Sequence, residues 1–331
     1  MLFINRRDYT FPYYEWSMIF FMASLVALLA LFTDRSLVVG NLMTIGHETA
    51  VVGLIALGVL VVFYVNEYDL SVGSMFALCL MLVSFAEGAM PSFLAWLLVM
   101  GLVGVIGYVN GLITVTLSAG LLITFTMMFA LRGLVYLLSN GMSVTHELWA
   151  EGTFMHALGW GVIFGVPVAI FVFWGFVVLL EVFFRRTSSG RCVRAIGLDS
   201  VAVMECGVKI SPYKIGAFVF AALMAGIACI LYYTRLHTVS PNVGLGFPFE
   251  ALAIVIISHG GVHRLQPSPF RVLVVTFLLV WIQDYVELLG LMPGASYLVT
   301  GCLVLLVLLL DHFRSLEARQ ESKKILGEDL L

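Results

Sequence analysis

Ionisable side chains interrupt this otherwise apolar sequence at a few places, and these are the residues that could do chemistry. Between residues 66 and 71 two carboxylates, Glu67 and Asp69, separate long apolar runs. Carboxylates inside a lipid bilayer are costly and mark the paths of ions and polar solutes. Glu67 and Asp69, with the hydroxyl of Ser71, are therefore predicted to line a translocation path. Alternatively, Asp69 simply caps a helix that begins at Leu70 or Ser71.

Three further polar residues are candidates for the same path. Arg132 lies inside an apolar run, where it could pair with a carboxylate of a neighbouring helix or extend to the membrane surface. Glu250 follows Pro248 at the expected start of a helix, where the helix dipole favours an anion. Asn110 precedes Gly111 in another apolar run and is predicted to pack there or to line the path.

Helices that cross a membrane must position these side chains. Of the 331 residues, 61% are hydrophobic and 11% are charged, and the mean hydropathy is +1.06. A water-soluble protein does not expose that much apolar surface, and about 20 apolar residues span the hydrocarbon core as a helix. The sequence predicts an all-α, polytopic integral membrane protein with about ten transmembrane helices, some of them broken or half-spans. The predicted runs are 16–33, 47–65, 70–88, 92–117, 120–139, 163–184, 215–234, 248–260, 269–288 and 297–312.

The basic residues predict the topology. With ten spans and a cytoplasmic start, every lysine and arginine lies on the cytoplasmic side except Arg35, Arg132 and Arg235, as the positive-inside rule requires. The chain, 1–331, is then one transmembrane domain with both termini in the cytoplasm. Residues 185–214 form a cytoplasmic loop, and residues 313–331 form a charged cytoplasmic tail.

A short helix is predicted within the loop 185–214. Asp199 is its N-cap, Ser200–Cys206 is the helix and Gly207 ends it. Its apolar side chains either dock onto a separate protein or fold back on the cytoplasmic face of the chain itself, and both interpretations stay open at this stage. These side chains are Val201, Val203 and Met204.

The sequence also limits the function classes. It has no Gly-rich phosphate loop ending in Lys-Ser or Lys-Thr, and its His and Glu residues do not follow a usual metal-ligand spacing. The chain is therefore expected to be no enzyme and to need no metal, cofactor or nucleic acid. Any driving energy comes from an ion gradient or from another chain. The interpretations are a subunit of an ATP-driven transporter, an ion-coupled secondary transporter that uses Glu67 or Glu250, or a membrane enzyme.

Three stretches, in this order and spacing, resemble the permease subunits of bacterial ATP-driven (ABC) importers for monosaccharides. This is the ribose, xylose and arabinose type, a family that also covers autoinducer-2 and nucleoside permeases. The resemblance runs from about residue 45 to Asp311. The stretches are Asp69-Leu-Ser-Val-Gly-Ser-Met-Phe-Ala-Leu78, Phe184-Arg-Arg-Thr-Ser-Ser-Gly190-Arg-Cys-Val-Arg-Ala-Ile-Gly197, and Ser240-Pro-Asn-Val-Gly244-Leu-Gly246 followed by Glu250-Ala-Leu-Ala-Ile-Val.

The resemblance implies a multi-subunit complex in the bacterial inner membrane. A second permease chain would complete the pore, two ATPase domains would dock on the cytoplasmic side and hydrolyse ATP with Mg²⁺, and a periplasmic binding protein would deliver the solute. The solute could be a pentose, a hexose, autoinducer-2 or a nucleoside. Residues 190–208 would be the element coupled to the ATPase, through Gly197, Asp199, Val201, Val203, Met204 and Gly207.

The chain departs from the family pattern in two places. Asn66, Glu67 and Tyr68 stand where the family has two glycines, and the segment from Val262 to Pro269 replaces most of a Gly-rich stretch. We expect these changes to stiffen a cytoplasmic turn and to add charge. Our hypothesis is that the chain is a divergent member that pairs with a different, more typical permease chain.

Overall fold

The structure, a computed structural model, describes residues 35–86, 89–145, 154–236, 238–259 and 267–288, together with a few positions between 294 and 309. These residues form helices joined by short connections and four two-residue strands. The helices are α1 Arg35–Tyr64, α2 Val72–Ala86, α3 Ser92–Leu117, α4 Gly120–Ser139, α5 Phe154–Trp160, α6 Val168–Arg186, α7 Ser188–Leu198, α8 Ser200–Glu205, α9 Ser211–Tyr233, α10 Phe247–His259 and α11 Pro269–Leu288. The strands are β1 Val144–Thr145, β2 Val162–Ile163, β3 Val166–Pro167 and β4 Thr238–Val239.

The helices confirm a polytopic, all-α membrane protein. In the described ranges, α1, α3, α4, α6, α9 and α11 are long and apolar enough to cross a membrane. The shorter apolar helices α2 and α10 match the expectation of half-spans. The predicted run 16–33, most of the run 297–312 and the tail 313–331 lie outside the described residues. The count of ten transmembrane helices therefore stays a prediction.

Helices α1 and α9 form the centre of the bundle. Within the most apolar 18-residue stretch of each helix, 94% of α1 and 61% of α9 are buried, whereas only 22% of α3 and of α4 are buried. Helix α9 packs against α1 on one side and α3 on the other. Glycines allow this approach, since a Cβ atom on Gly58 would lie 2.9 Å from Cα of Ala221, and one on Gly107 would lie 2.8 Å from the carbonyl oxygen of Phe218.

The loop between α6 and α9 gathers at one end of the bundle, which we call the basic end. There α7 lies against the last turn of α1, and Lys214 at the start of α9 forms a salt bridge with Glu67. At the opposite end β1 pairs antiparallel with β4, with Val144 opposite Val239. The ends of α1 and α6 and the start of α9 thus lie together at the basic end, while the segments that follow α4 and α9 lie at the opposite end.

The loop itself contains two helices rather than the one predicted. Helix α7 was not predicted, and it buries Val193 and Ile196 while Thr187 caps its start by accepting a 2.9 Å hydrogen bond from the Gly190 amide. Helix α8 is the predicted helix, although it ends at Glu205. Oδ1 of Asp199 accepts hydrogen bonds of 3.0 Å from two amides at its start, and Gly207 follows it with a φ of +81°.

Candidate functional site

Two non-helical segments meet inside the bundle. The first break, residues 65–71, separates α1 from α2, and the second break, residues 240–246, precedes α10. A Cβ atom on Gly244 would lie 2.8 Å from the carbonyl oxygen of Gly73, so the two backbones touch at this crossing. Irregular backbone at membrane depth is tolerated only where protein buries it or where it lines a cavity. Broken helices of this kind form the solute sites of transporters.

Arg132 of α4 holds the crossing together. Its Nη1 donates hydrogen bonds to the carbonyl oxygens of Pro241 (2.8 Å) and Val243 (2.9 Å), and its Nη2 donates to that of Gly73 (3.2 Å). By helix rise, Arg132 lies about 18 Å from the start of α4, which is well inside the span. The sequence suggested a carboxylate partner or the membrane surface for this residue. Among the described residues its hydrogen-bond partners are instead backbone carbonyls of the second break and of Gly73 in the first turn of α2.

The path candidates of the first break are joined in one hydrogen-bonded chain. Oδ1 of Asp69 accepts from the amide (2.8 Å) and the hydroxyl (2.6 Å) of Ser71, and Nδ2 of Asn110 donates to the same hydroxyl (2.9 Å). Asp69 thus closes a turn directly before α2, which begins at Val72. Its bonds are to Ser71, outside the helix, so the capping of a helix that begins at Leu70 or Ser71 stays a prediction. The turn uses only one of its two carboxylate oxygens.

Several buried polar atoms around the crossing remain without a hydrogen-bond partner in the part of the chain that the structure describes. Buried polar groups are normally paired, so such a group needs another explanation. A polar solute or water passing this point would supply the missing partners. The atoms are Oδ2 of Asp69, Oγ of Ser74, Oδ1 of Asn110 and Nε of Arg132.

The crossing combines groups of both signs. Helices α2 and α10 both begin there, and helix N-termini carry partial positive charge. The guanidinium of Arg132, which is 7% exposed, adds a full positive charge. Two carboxyl groups oppose it: Asp69, which is 1% exposed, and Glu250, in the first turn of α10 and beside Gln283 of α11. The arrangement offers both donors and acceptors to a polar solute, such as one with hydroxyl groups.

Glu67 does not lie at the crossing. Its carboxylate is at the basic end, where it pairs with Lys214 of α9. The structure therefore separates the predicted path residues into two groups. Asp69, Ser71 and Asn110 are joined directly, and Arg132 reaches them through Gly73, while Glu67 belongs to the neighbourhood of α7–α9.

The predicted coupling residues lie on the surface of the basic end. Side chains of Leu198 (65% exposed), Val201 (58%) and Met204 (52%) form an exposed apolar surface, which we call the docking patch. Val203 differs, because it packs against the buried core. The two interpretations of this helix thus apply to different residues: Val203 folds back on the domain, and Val201 and Met204 face outward. Gly197 contacts the end of α1, and Asp199 and Gly207 bound α8.

The sequence identified several residues of the site but not the groups to which they bind. Lys214 and the carbonyls of Pro241 and Val243 were not predicted as site groups. Lys214 had a usable signal, since it is a lone cation at the start of an apolar run. The carbonyls had none, because every residue carries one.

A methyl group at Gly73 is expected to disrupt the crossing. The Cβ atom of Gly73→Ala would overlap the carbonyl oxygen of Gly244 and lie 2.6 Å from Cδ of Pro248. Overpacking of this kind destabilises by about 1–3 kcal/mol, so we expect a lower thermal unfolding temperature and reduced solute uptake. The matched control is Gly133→Ala in α4, where a Cβ meets nothing within 4 Å. Equal stability of both variants would contradict the described crossing.

Comparison with known proteins places this geometry in context. The family described as branched-chain amino acid transport system / permease component matches residues 41–308. The chain is 27% identical over 295 residues to the ribose import permease protein RbsC of Escherichia coli (strain K12), covering 87% of this chain and 90% of that protein. It is 30% identical over 282 residues to RbsC of Bacillus subtilis (strain 168), covering 83% and 85%. It is 28% identical over 324 residues to the L-arabinose ABC transporter permease protein AraH of Azospirillum brasilense, covering 92% and 91%. No solved structure matches the chain.

Proposed function

The chain belongs to the family of branched-chain amino acid transport system / permease components, and we propose on this basis that it is the membrane permease subunit of an ATP-driven importer for a monosaccharide. Its relatives in the comparison are ribose and arabinose permeases. They agree with the resemblance seen in the three sequence stretches, and nothing among them favours an ion-coupled transporter. The observation that carries the proposal is this match along most of the chain, joined to a polar crossing inside an apolar bundle.

The crossing is where we propose that the sugar passes. A monosaccharide presents hydroxyl groups that donate and accept hydrogen bonds, and the unpartnered atoms near Asp69, Asn110 and Arg132 include both kinds of group. A passing solute must be bound weakly enough to leave again. A site made of a few polar groups and two helix N-termini, without an enclosing cage of charges, meets this condition.

The energy is proposed to come from partner subunits. ATPase and solute-binding partners are general to ABC importers, and we propose that two ATPase domains hydrolyse ATP with Mg²⁺ at the basic end. The docking patch of Leu198, Val201 and Met204 supports this, since exposed apolar surface at a cytoplasmic face is typical of a protein contact. A periplasmic binding protein would approach the opposite end. The membrane is proposed to be the bacterial inner membrane, with both termini of this multi-pass chain in the cytoplasm.

We also propose that the second permease chain is a different, more typical one. The support is the sequence departure at Asn66, Glu67 and Tyr68, which places a charged and a bulky residue in a turn where the family has glycines. Such a turn is stiffer than one of glycines. A pore of two unequal chains would tolerate the change in one half.

The deciding experiment is uptake by the purified complex in sealed vesicles. We expect uptake of ribose or L-arabinose that needs ATP and the binding protein and that persists when ionophores collapse all ion gradients. Gradient-driven uptake without ATP would overturn the proposal in favour of a secondary transporter. The mass of the same preparation shows whether its second permease chain is a copy of this one, which would refute the unequal pair.

A further inference from the structure

The salt bridge between Glu67 and Lys214 occupies an unusual position in the fold. Lys214 lies in the first turn of α9, directly after the loop that carries the docking patch, and Glu67 lies in the first break. Their side chains are 24% and 12% exposed, so the pair is shielded from most of the solvent. The two residues are separated by 147 positions in the chain, and their contact connects the loop with the polar crossing.

The carboxylate of Glu67 touches a third element as well. A Cβ atom on Gly120 would overlap Oε2 of Glu67, so the carboxylate lies directly against the start of α4. A carboxylate is favourable at a helix N-terminus, and only glycine leaves room for it here. One side chain thus joins the first break to the starts of both α4 and α9.

The loop holds the same turn at a second point. A Cβ atom on Gly197, near the end of α7, would overlap the carbonyl oxygen of Tyr64 at the end of α1. The segments on both sides of α8 therefore contact this turn: Gly197 of α7 meets Tyr64 at the end of α1, and Lys214 of α9 pairs with Glu67 of the first break. A displacement of α8 that moves α7 or the start of α9 has these two contacts through which to move residues 64–67.

The first break passes such a displacement to the crossing. Oγ1 of Thr124 in α4 donates to the carbonyl oxygen of Tyr68 (3.1 Å), and Asn110 of α3 binds Ser71 (2.9 Å). Gly73 then meets Gly244 and Arg132. The chain of contacts from the docking patch to the crossing is continuous, and the ion pair is its charged step.

We propose that the Glu67–Lys214 ion pair transmits movement of the loop 188–210 to the first break, so that ATP hydrolysis by a partner changes the crossing. This inference rests on the proposed function and adds two positioning residues to it. Loss of the pair should uncouple hydrolysis from transport rather than prevent either.

The test uses the full complex in vesicles and measures sugar uptake and ATP hydrolysis in the same preparation. The variants are Glu67→Gln, Lys214→Met, the double variant, and Lys214→Arg, which keeps the charge. We expect the ratio of uptake to hydrolysis to fall about fivefold or more in both single variants, which is the lower range of measured site-to-site couplings. The double variant should be no worse than either single one, because the two residues act as a unit. Lys214→Arg should restore most of the ratio.

The matched control is Glu181→Gln, which removes a separate, i,i+4 ion pair with Arg185 within α6 at the same end of the bundle. Its ratio should equal that of the wild type. An unchanged ratio in Glu67→Gln and Lys214→Met would overturn the proposal. So would failure of these variants to assemble, which would show a purely structural role, or an equal fall in Glu181→Gln. Failure of the proposed function is distinguishable, since the wild-type complex would then lack ATP-dependent uptake.

Discussion

Replacing Arg132 with leucine is expected to cause the largest loss of stability and transport among single substitutions in this chain. The change removes the donor for three carbonyl oxygens that belong to two different segments. A hydrogen bond from a charged group contributes about 1.5–3 kcal/mol, and a buried acceptor left without a partner adds a penalty. We expect the unfolding free energy to fall by about 3 kcal/mol or more. Uptake should also fall strongly, because the same three hydrogen bonds hold the crossing in place.

Two measurements check this expectation. Thermal unfolding of the purified chain reports stability, and vesicle uptake reports transport. Arg132→Lys keeps the charge, but all its donors are on one nitrogen. It cannot bind the carbonyls of the second break and of Gly73 at once, as the planar guanidinium does. Its stability and uptake should therefore be intermediate between those of the wild type and Arg132→Leu. Arg191→Leu, at an exposed position of α7, removes the same side chain where its hydrogen bond to the carbonyl of Arg186 is a long 3.4 Å. Wild-type stability and uptake in Arg132→Leu would refute the role of Arg132 in holding the crossing.

The helical framework could be predicted because it depends on composition. A bilayer forces backbone groups to pair within each segment, so an apolar run of sufficient length becomes a helix whatever its neighbours are. The runs 92–117 and 120–139 coincide with α3 and α4 within the precision of helix ends. Asp199 and Gly207 likewise marked the limits of α8, because capping depends on a few adjacent residues.

The site could be predicted only in part, because its contacts join residues far apart in the chain. Arg132 was identified from its type and position, yet its acceptors lie 59, 109 and 111 residues away. Carbonyl oxygens carry no sequence signal. Glu67 was grouped with Asp69 because the two are neighbours in the sequence. The backbone between them is not helical, and Glu67 pairs with Lys214 whereas Asp69 binds Ser71, which the spacing did not reveal.

The same reasoning separates stability from coupling in this fold. The central packing of α1 and α9 depends on apolar contact and on glycines such as Gly58 and Gly107. The polar groups form a second system of contacts, which involves fewer residues. It extends from Lys214 and Glu67 to Asp69, Ser71 and Arg132. Substitutions in the polar system, such as Arg132→Leu, can affect both stability and transport. The docking patch lies outside both systems, because its side chains are exposed, so a substitution there can disturb transport without disturbing the bundle.

A negative charge in the docking patch is expected to weaken ATPase binding about thirtyfold or more while leaving the membrane domain folded. Met204 is 52% exposed, so Met204→Asp places a carboxylate on the surface without burying it in this chain. In a complex the same carboxylate would be desolvated against the partner. Substitutions at such central apolar contacts weaken binding by about 2 kcal/mol or more, which is roughly thirtyfold.

The measurement is the affinity of the purified ATPase for the permease complex in lipid nanodiscs. Thermal unfolding of the same variant checks that its membrane domain is folded. Met142→Asp is the matched control, because Met142 is also exposed (66%) but lies after α4 at the opposite end of the bundle. Val203→Asp should behave differently from both, since Val203 packs against the core and a buried carboxylate there lowers stability first. Wild-type ATPase affinity in Met204→Asp would show that the partner docks elsewhere, and the assignment of residues 185–214 as the coupling loop would then be wrong.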